Sequence, residues 1–324
     1  MTVAFTDRRS HAQADHADIA SFVMASGVGI ELMRTSYQTQ VFPRHTHEYF
    51  TLGVMLSGVG TLWAHGAERT VHRGDIVLIP PGEVHTGGLG GGGEVLSYLA
   101  VHLPAEVFAE CSDALDIRRG QPPNFPSVII QDAAVGTELR RLDAIMGSTL
   151  AASTSIASTA LSGPCIDEGA ADDALSAAVC LLVERHVDST APTERAPLNR
   201  EPGFVRIARE IIDDCYADKT QTSLRSLALR SGVTPFHLVR GFTQSVGLSP
   251  HRYVVQTRVH HATKLLARGI PSSFVAAMTG FVDQSHLTTQ FKRYVGTTPA
   301  AYQRCLAGPT QRASVRTGTD SLGA

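Results

Sequence analysis

A short sequence unit occurs twice in the C-terminal third of this 324-residue chain, and this duplication constrains the fold more than any other feature. Residues 231–250 read SGVTPFHLVRGFTQSVGLSP, and residues 279–299 read TGFVDQSHLTTQFKRYVGTTP. The shared His-Leu, Phe, Val-Gly and Pro positions are 49 residues apart, whereas the preceding glycines, Gly232 and Gly280, are 48 residues apart. The second copy therefore carries one additional residue in the turn that follows its glycine.

Each copy predicts a helix-turn-helix. In the first copy, Gly232 permits a sharp turn with positive φ, and Thr234-Pro235 supplies an N-cap followed by proline at the first helical position. Apolar residues then recur at the spacing of a buried helical stripe, and a glycine ends each helix. The stripe residues are Leu238, Phe242 and Val246 in the first copy, and Leu287, Phe291 and Val295 in the second.

The opposite face of each second helix carries no acidic residue, so it can enter the major groove of DNA without repelling phosphates. An arginine such as Arg240 bonds a guanine edge bidentately, a glutamine such as Gln284 bonds an adenine edge, and apolar groups contact thymine methyls. Neighbouring cations contact phosphates, which positions the protein without specifying sequence. The candidate base-reading residues are Phe236, Val239, Arg240, Thr243, Gln284, Ser285, Thr288 and Thr289. The candidate phosphate contacts are Arg225, Arg252, Lys292 and Arg293.

Charge is unevenly distributed along the chain. Residues 203–306 contain 13 Lys and Arg against five Asp and Glu, whereas the remaining residues contain 15 basic and 25 acidic groups. No acidic residue occurs between Thr220 and Val282. Together with the repeated unit, this asymmetry favours a polyanion-binding module over a helical bundle with a solvated basic face. A helix from Pro250 to about Arg268, roughly 27 Å long, could hold two reading helices about one turn of duplex apart, on the order of 34 Å.

Residues 203–306 resemble the DNA-binding domain of the AraC/XylS family of bacterial transcription regulators, above all in GFVDQSHLTTQFKRYVGTTPAAYQR at residues 280–304. The resemblance implies seven helices, two helix-turn-helix units and a stiff joining helix. It also implies a sequence-specific DNA-binding regulator rather than an enzyme, and an activator that contacts RNA polymerase. Two positions depart from the common pattern of the family. Val239 occupies a position where a polar, base-contacting residue is frequent, and Thr289 occupies a position where many members have arginine.

The region from about Ile30 to His102 reads as short strands separated by glycine-containing turns, which favours a sandwich or barrel. Two stretches, PRHTHEYFTLGVMLSGVGTLWAHG and HRGDIVLIPPGEVHTG, resemble the cupin barrel found at the N-terminus of many AraC-type regulators. The interior of a small barrel is wide enough for one small ligand. The predicted fold class is therefore α+β with two domains: an N-terminal cupin β-barrel with flanking helices, and a C-terminal all-α domain with two helix-turn-helix units.

Three histidines, His45, His47 and His85, are the candidate effector-binding residues of this barrel. Metal-binding cupins surround a divalent ion with an H-x-H pair, a later histidine and a carboxylate. Here Glu48 directly follows His47, and adjacent residues of a strand face opposite sides, so at most three histidine ligands remain. We favour a ligand pocket without metal or other cofactor. The alternative is a metal-dependent cupin enzyme, or a metal sensor, fused to a DNA-binding domain.

The predicted domain limits follow composition. Residues 22–187 form the effector-binding and dimerisation domain, and residues 203–306 form the DNA-binding domain. Residues 188–202, with three prolines and few apolar groups, read as a linker between them, and residues 307–324 as a disordered tail. Residues 1–21 are polar and read as a frayed segment.

Two further segments allow more than one interpretation. Apolar stripes within residues 133–150 and 172–187 predict helices that either pack on the barrel or pair two chains, and the family resemblance favours a homodimer. The glycine-rich residues 86–94, TGGLGGGGE, read as a flexible lip beside His85 that closes over a ligand.

No run of about 18 apolar residues, the length that a membrane span needs, occurs in the sequence. The five cysteines are odd in number and never form a C-x-x-C pair, which favours a reducing compartment. We therefore expect a cytoplasmic protein that does not associate with membranes. Its expected partners are double-stranded DNA, a small-molecule effector and RNA polymerase.

Overall fold

The chain folds into a β-rich N-terminal domain and a helical C-terminal domain, which confirms the predicted α+β class. The predicted linker lies mostly, and the predicted tail wholly, outside the described residues. The computed structural model describes residues 15–24, 26–91, 95–117, 123–154, 166–188 and 201–306.

Within these residues, the strands of the N-terminal domain form two antiparallel sheets. One has the order β1-β2-β9-β4-β7-β10, and the other has the order β3-β8-β5-β6. Burial alternates along strands such as β5, because successive side chains point to opposite faces of a sheet. The strands are β1 His16–Val23, β2 Gly29–Tyr37, β3 Phe42–His45, β4 Phe50–Ser57, β5 Gly60–Ala64, β6 Ala67–Val71, β7 Ile76–Ile79, β8 His85–Leu89, β9 Leu96–Leu103 and β10 Ile129–Ile130.

In the described part of the chain, three helices cover one side of this domain: α1 Ala105–Ala114, α2 Ala133–Thr154 and α3 Glu168–His186. The two predicted apolar stripes lie on α2 and α3, and both are buried in one cluster with the inward residues of the six-stranded sheet. The stripes are therefore part of the domain core, and the dimerisation role that we favoured for them is wrong. The buried stripe residues are Val135, Leu139, Leu142, Met146, Leu175, Val179, Leu182 and Val183.

Seven helices form the C-terminal domain, as the family resemblance implied. The first helix-turn-helix is α5-α6, the second is α8-α9, and the 18-residue helix α7 joins them as predicted. The additional residue of the second copy lies in its turn, between α8 and α9. The helices are α4 Gly203–Cys215, α5 Leu224–Arg230, α6 Pro235–Val246, α7 Pro250–Ala267, α8 Ser272–Met278, α9 Gln284–Val295 and α10 Pro299–Leu306.

Two predictions for loop segments are wrong. Residues 16–21, predicted to be frayed and to precede the domain, belong to strand β1, which pairs along its whole length with β2. Residues 86–89 of the predicted lip form, together with His85, strand β8 between β3 and β5. In both cases the strand is stabilised by backbone hydrogen bonds to neighbouring strands, and such bonds cannot be predicted from the polarity of the side chains. Residues 92–94 of the predicted lip lie outside the described residues.

The turn glycines of the two copies provide a matched test of the fold. Gly232 and Gly280 both have positive φ, 69° and 75°, so alanine at either position costs about 1–2 kcal/mol for the left-handed backbone. A Cβ at Gly232 meets no atom within 4 Å, whereas one at Gly280 would overlap the Ala217 carbonyl oxygen. We expect Gly280→Ala to lower the free energy of unfolding clearly more than Gly232→Ala, as measured by urea denaturation. Equal losses would contradict the close packing around Gly280.

Candidate nucleic-acid interface and ligand cavity

The second helices of the two repeated units, α6 and α9, have the same construction. Each is 12 residues long, and each ends at a glycine in the left-handed conformation, Gly247 with φ 78° and Gly296 with φ 86°. The Thr234 side chain caps α6 by accepting a hydrogen bond from the His237 backbone, and Asp283 caps α9 in the same way. We call α6 and α9 the reading helices.

The predicted base-reading side chains lie on the outer faces of the reading helices, and none of them is buried. Phe236 is 77% exposed. The Gln284 amide donates a hydrogen bond to Ser272 Oγ at 2.9 Å, which joins the start of α9 to α8. Val239 and Thr288 are half-buried; Arg240, Thr243, Ser285 and Thr289 are exposed, as are the predicted phosphate contacts Arg225, Arg252, Lys292 and Arg293.

The C-terminal ends of both reading helices rest on the N-terminal domain. A Cβ at Gly247 would lie 2.9 Å from the Val84 side chain, and one at Gly296 would overlap the Tyr37 hydroxyl. The Gln40 amide donates to the last-turn carbonyls of α9, to Lys292 O at 3.3 Å and Arg293 O at 3.4 Å. In this structure the β-domain therefore holds the two reading helices at a fixed relative position.

A cavity of about 1090 Å³ lies between the two domains. On the β-domain side its wall includes buried apolar side chains such as Met55, Leu62 and Ile79, together with polar rings nearer the C-terminal domain. On the other side the wall is formed mainly by α7, including Gln256, His260 and Lys264. A concave, largely apolar site with a few convergent polar groups is the usual architecture of a small-molecule site.

The three predicted effector-binding histidines all line this cavity and lie together. The ring centroids of His45 and His85 are 4.1 Å apart, and those of His47 and His85 are 4.9 Å apart. Burial, followed by the charge of His45, lowers the pKa of His85 to about 3. Burial is also the main cause that lowers the pKa of His45 and His47. All three imidazoles are therefore neutral near pH 7.

A hydrogen-bonded network links the far end of the C-terminal domain to the cavity wall. The Tyr302 hydroxyl of α10 donates to Glu31 Oε2 at 2.6 Å, and His102 Nδ1 lies 3.1 Å from Glu31 Oε1. Burial alone would raise the pKa of the Glu31 carboxyl, but the bonds from His102 and Tyr302 and the charge of His102 lower it. Glu31 is thus ionised at neutral pH, and it ties strand β2 to α10.

The part of the cavity wall that α7 contributes was not evident from the sequence. The Gln256 side chain accepts a hydrogen bond from the Thr46 backbone at 2.9 Å, across 210 residues of sequence. Glu48 Oε2 lies 3.6 Å from His260 Nε2, so Glu48 faces the C-terminal domain and not the histidine cluster. This orientation does not result from strand alternation, because β3 ends at His45. The sequence feature that could have indicated this wall is the His260-His261 pair within α7, because DNA binding does not require two adjacent histidines in the joining helix.

Comparison with known proteins agrees with this architecture. Residues 27–163 match the AraC-like ligand binding domain, and residues 227–304 match a helix-turn-helix domain. The HTH-type transcriptional regulator YbfI of Bacillus subtilis is 26% identical over 261 residues, which cover 80% of this chain and 86% of that protein. The HTH-type transcriptional activator RhaR of an Enterobacter species is 24% identical over 278 residues, covering 82% and 89%.

A crystal structure of a variant of apo ToxT from Vibrio cholerae has the same fold. It superposes with a TM-score of 0.50 at 10% sequence identity, covering 91% of this chain and 98% of that one. The fold, the paired reading helices and the matched domains define a DNA-binding transcription regulator with a ligand-binding domain. The chain belongs to the AraC family of transcription regulators. Among the described residues, no helix is long and apolar enough to cross a bilayer.

Removal of one hydroxyl tests the contact between the domains. Tyr302→Phe takes away the donor to the Glu31 carboxylate, a charged hydrogen bond of about 1.5–3 kcal/mol. We expect faster hydrogen exchange in α10, measured by mass spectrometry, while α3 within the β-domain keeps its protection. Tyr294→Phe is the matched control, because it removes a hydroxyl from the cavity wall without touching Glu31. Equal exchange of α10 in both variants would show that this bond does not hold the domains together.

Proposed function

We propose that this protein is an effector-controlled activator of transcription that reads DNA with α6 and α9. The observation that carries this proposal is the geometry of α7, which joins the two reading helices and also forms one wall of the cavity. A ligand in the cavity thereby contacts the element that sets the separation of the readers. Contact with RNA polymerase, assembly as a homodimer and a cytoplasmic location belong to the same proposal and rest on the family alone.

Base recognition is assigned to the exposed stripes of the reading helices. Arg240 is exposed on α6, and no acidic group stands on that stripe, so its guanidinium is available for a bidentate bond to guanine. On α9 the corresponding stripe is short and polar, with Ser285 and Thr289 near Gln284. The first unit therefore supplies the stronger base contact. The second unit mainly positions the protein on the duplex and complements the shape of its groove. Phosphate contacts from both units provide the salt-dependent part of the affinity.

The assignment of Arg240 is tested with operator sequences selected from a random duplex library by the parent chain. Arg240→Ala is expected to weaken binding to the selected sequence by about 1–3 kcal/mol and to relax base preference at one position. Lys292→Ala is expected to weaken binding to all sequences alike. It should also reduce the slope of log affinity against log salt concentration by about 1, because one phosphate contact is lost. Mobility shifts at several salt concentrations separate the two effects.

Arg141→Ala serves as the control, because Arg141 is an exposed cation on α2 of the N-terminal domain. If Arg240→Ala retains both the affinity and the base preference of the parent chain, Arg240 is not a reader. If the parent chain selects no sequence from the library, the proposal of sequence-specific reading fails as a whole.

The cavity wall indicates the chemical class of the effector. Its β-domain side is lined by apolar side chains, and its mouth carries histidine and tyrosine rings together with Lys264 and Arg209. We propose a small molecule with an apolar body and one anionic or hydrogen-bonding end. The apolar body fits the barrel interior, and the polar end meets the mouth beside α7.

Strand β8 offers a matched pair of substitutions for this cavity. Gly87 lines the cavity, and a Cβ there meets only the edge of Phe42 at 3.9 Å, so a side chain can start from this position and Gly87→Leu should take up part of the cavity. Thr86→Leu places the same side chain on the other face of the strand. A saturating effector at 100 times its Kd stabilises the folded chain by about 2.7 kcal/mol. We expect compounds that raise the melting temperature of the parent and of Thr86→Leu to have no effect on Gly87→Leu; an unchanged response would place the effector elsewhere.

A further inference from the structure

Two cysteines of the N-terminal domain lie against each other where two helices meet. Cys111 is on α1 and Cys180 is on α3, 69 residues further along the chain, and their Sγ atoms are 3.0 Å apart. A disulfide requires a separation of about 2.05 Å, so about 1 Å remains to be closed. Rotation of each χ1 by about 20° closes it, which is less than the departure of about 30° that marks a strained side chain. The two sulfurs are therefore positioned to form a bond within one chain.

The two thiols differ in their access to solvent. Cys111 is buried in the core of the domain, whereas Cys180 is exposed. Burial, followed by the hydrogen bond to Cys180, raises the pKa of the Cys111 thiol, so Cys111 keeps its proton at neutral pH. A cysteine that serves packing alone is usually buried, and the exposure of Cys180 does not fit that role. An oxidant from solution can reach Cys180 first, while Cys111 is held behind it as the second thiol.

The surroundings of the pair favour a transient bond over a permanent one. In a reducing compartment, which the scattered cysteines of this chain favour, disulfides are rare and usually serve catalysis or redox sensing. Cys215 and Cys305 belong to the helical domain, and neither Cys111 nor Cys180 lines the cavity. The pair is therefore separate from both the candidate DNA interface and the ligand cavity.

We propose that Cys111 and Cys180 form a reversible disulfide on reaction with a hydroperoxide. With hydrogen peroxide, the Cys180 thiolate attacks one oxygen and the O–O bond breaks. Cys180 becomes a sulfenic acid, and the other oxygen leaves and is protonated to water by the proton that Cys180 lost. The Cys111 sulfur then attacks the Cys180 sulfur, the S–O bond breaks, and the oxygen leaves as water with the proton of the Cys111 thiol. Two thiols and one peroxide thus give one disulfide and two waters, and a dithiol reductant restores both thiols.

Peptide mapping of the oxidised chain tests this linkage. The full, reduced chain is treated with one equivalent of hydrogen peroxide, alkylated, and cleaved after glutamate without reduction. This cleavage separates three cysteines into three peptides: Cys111 in residues 111–138, Cys165 in residues 139–168 and Cys180 in residues 169–184.

Mass spectrometry then identifies each linked pair of peptides. We expect the pair 111–138 with 169–184 to be at least about ten-fold more abundant than any other, because two oriented groups of one chain react faster than separate ones. Dithiothreitol should abolish the linkage. The measurement requires no DNA and no effector, so its result is independent of the proposed regulation.

The variants separate the roles of the two thiols. Cys111→Ser removes the second thiol and should leave Cys180 as a sulfenic acid, which dimedone traps. In the parent chain the disulfide removes this sulfenic acid, so dimedone labelling of Cys180 should be at least about ten-fold lower. Cys215→Ser, which changes a half-buried thiol of the helical domain, is the matched control and should form the linkage as the parent does. Circular dichroism of each reduced variant checks that it folds.

Three results would overturn the proposal. The first is a folded parent chain without the linkage of 111–138 to 169–184 after peroxide treatment. The second is a linkage of Cys180 mainly to Cys165 or to Cys180 of a second chain. The third is equal dimedone labelling of Cys180 in the parent and in folded Cys111→Ser. If Cys111→Ser does not fold, the linkage in the parent chain decides the question.

Discussion

The packing of the helical domain against the β-domain is the interaction on which the rest of the structure depends. One apolar cluster contains Tyr37 and Met33 of strand β2 together with Leu287 and Phe291 of the second reading helix. Contact between the domains buries further apolar surface in this cluster, and the burial of apolar surface is the dominant favourable term in folding and association. The cavity and the hydrogen bond from Tyr302 to Glu31 exist only in this docked arrangement.

The helical domain was predictable from sequence because its determinants are local. Caps, turn glycines and buried stripes lie within a few residues of the structure that they specify, and Thr234, Gly247 and Gly296 act as the pattern indicated. The 48- and 49-residue offsets located even the additional residue in the second turn. For the candidate DNA interface, the sequence identified which side chains are exposed, because periodicity alone separates the two faces of a helix.

The remaining features arise from contacts that are distant in sequence. Strand β1 pairs with β2 through its backbone, so its mixed polar sequence gave no strand signal. The stripes of α2 and α3 showed that an apolar face must be covered, but not whether the barrel or a second chain covers it. The histidine cluster was predicted as a set, whereas the backbone carbonyls that orient its rings became evident only with the fold. The contribution of α7 to the cavity depends on a surface that packs against residues more than 200 positions away.

The position of α7 also limits how a ligand can act on DNA binding. A ligand shifts an equilibrium only by the difference in its affinities for the two arrangements, however tightly it binds. In the docked state the cavity has walls from both domains, so a ligand that fills it binds this state more tightly than one in which α7 has moved away. Such a ligand stabilises one fixed separation of the reading helices. By thermodynamic reciprocity, DNA that fits this separation must raise the affinity of the cavity for the ligand by the same factor.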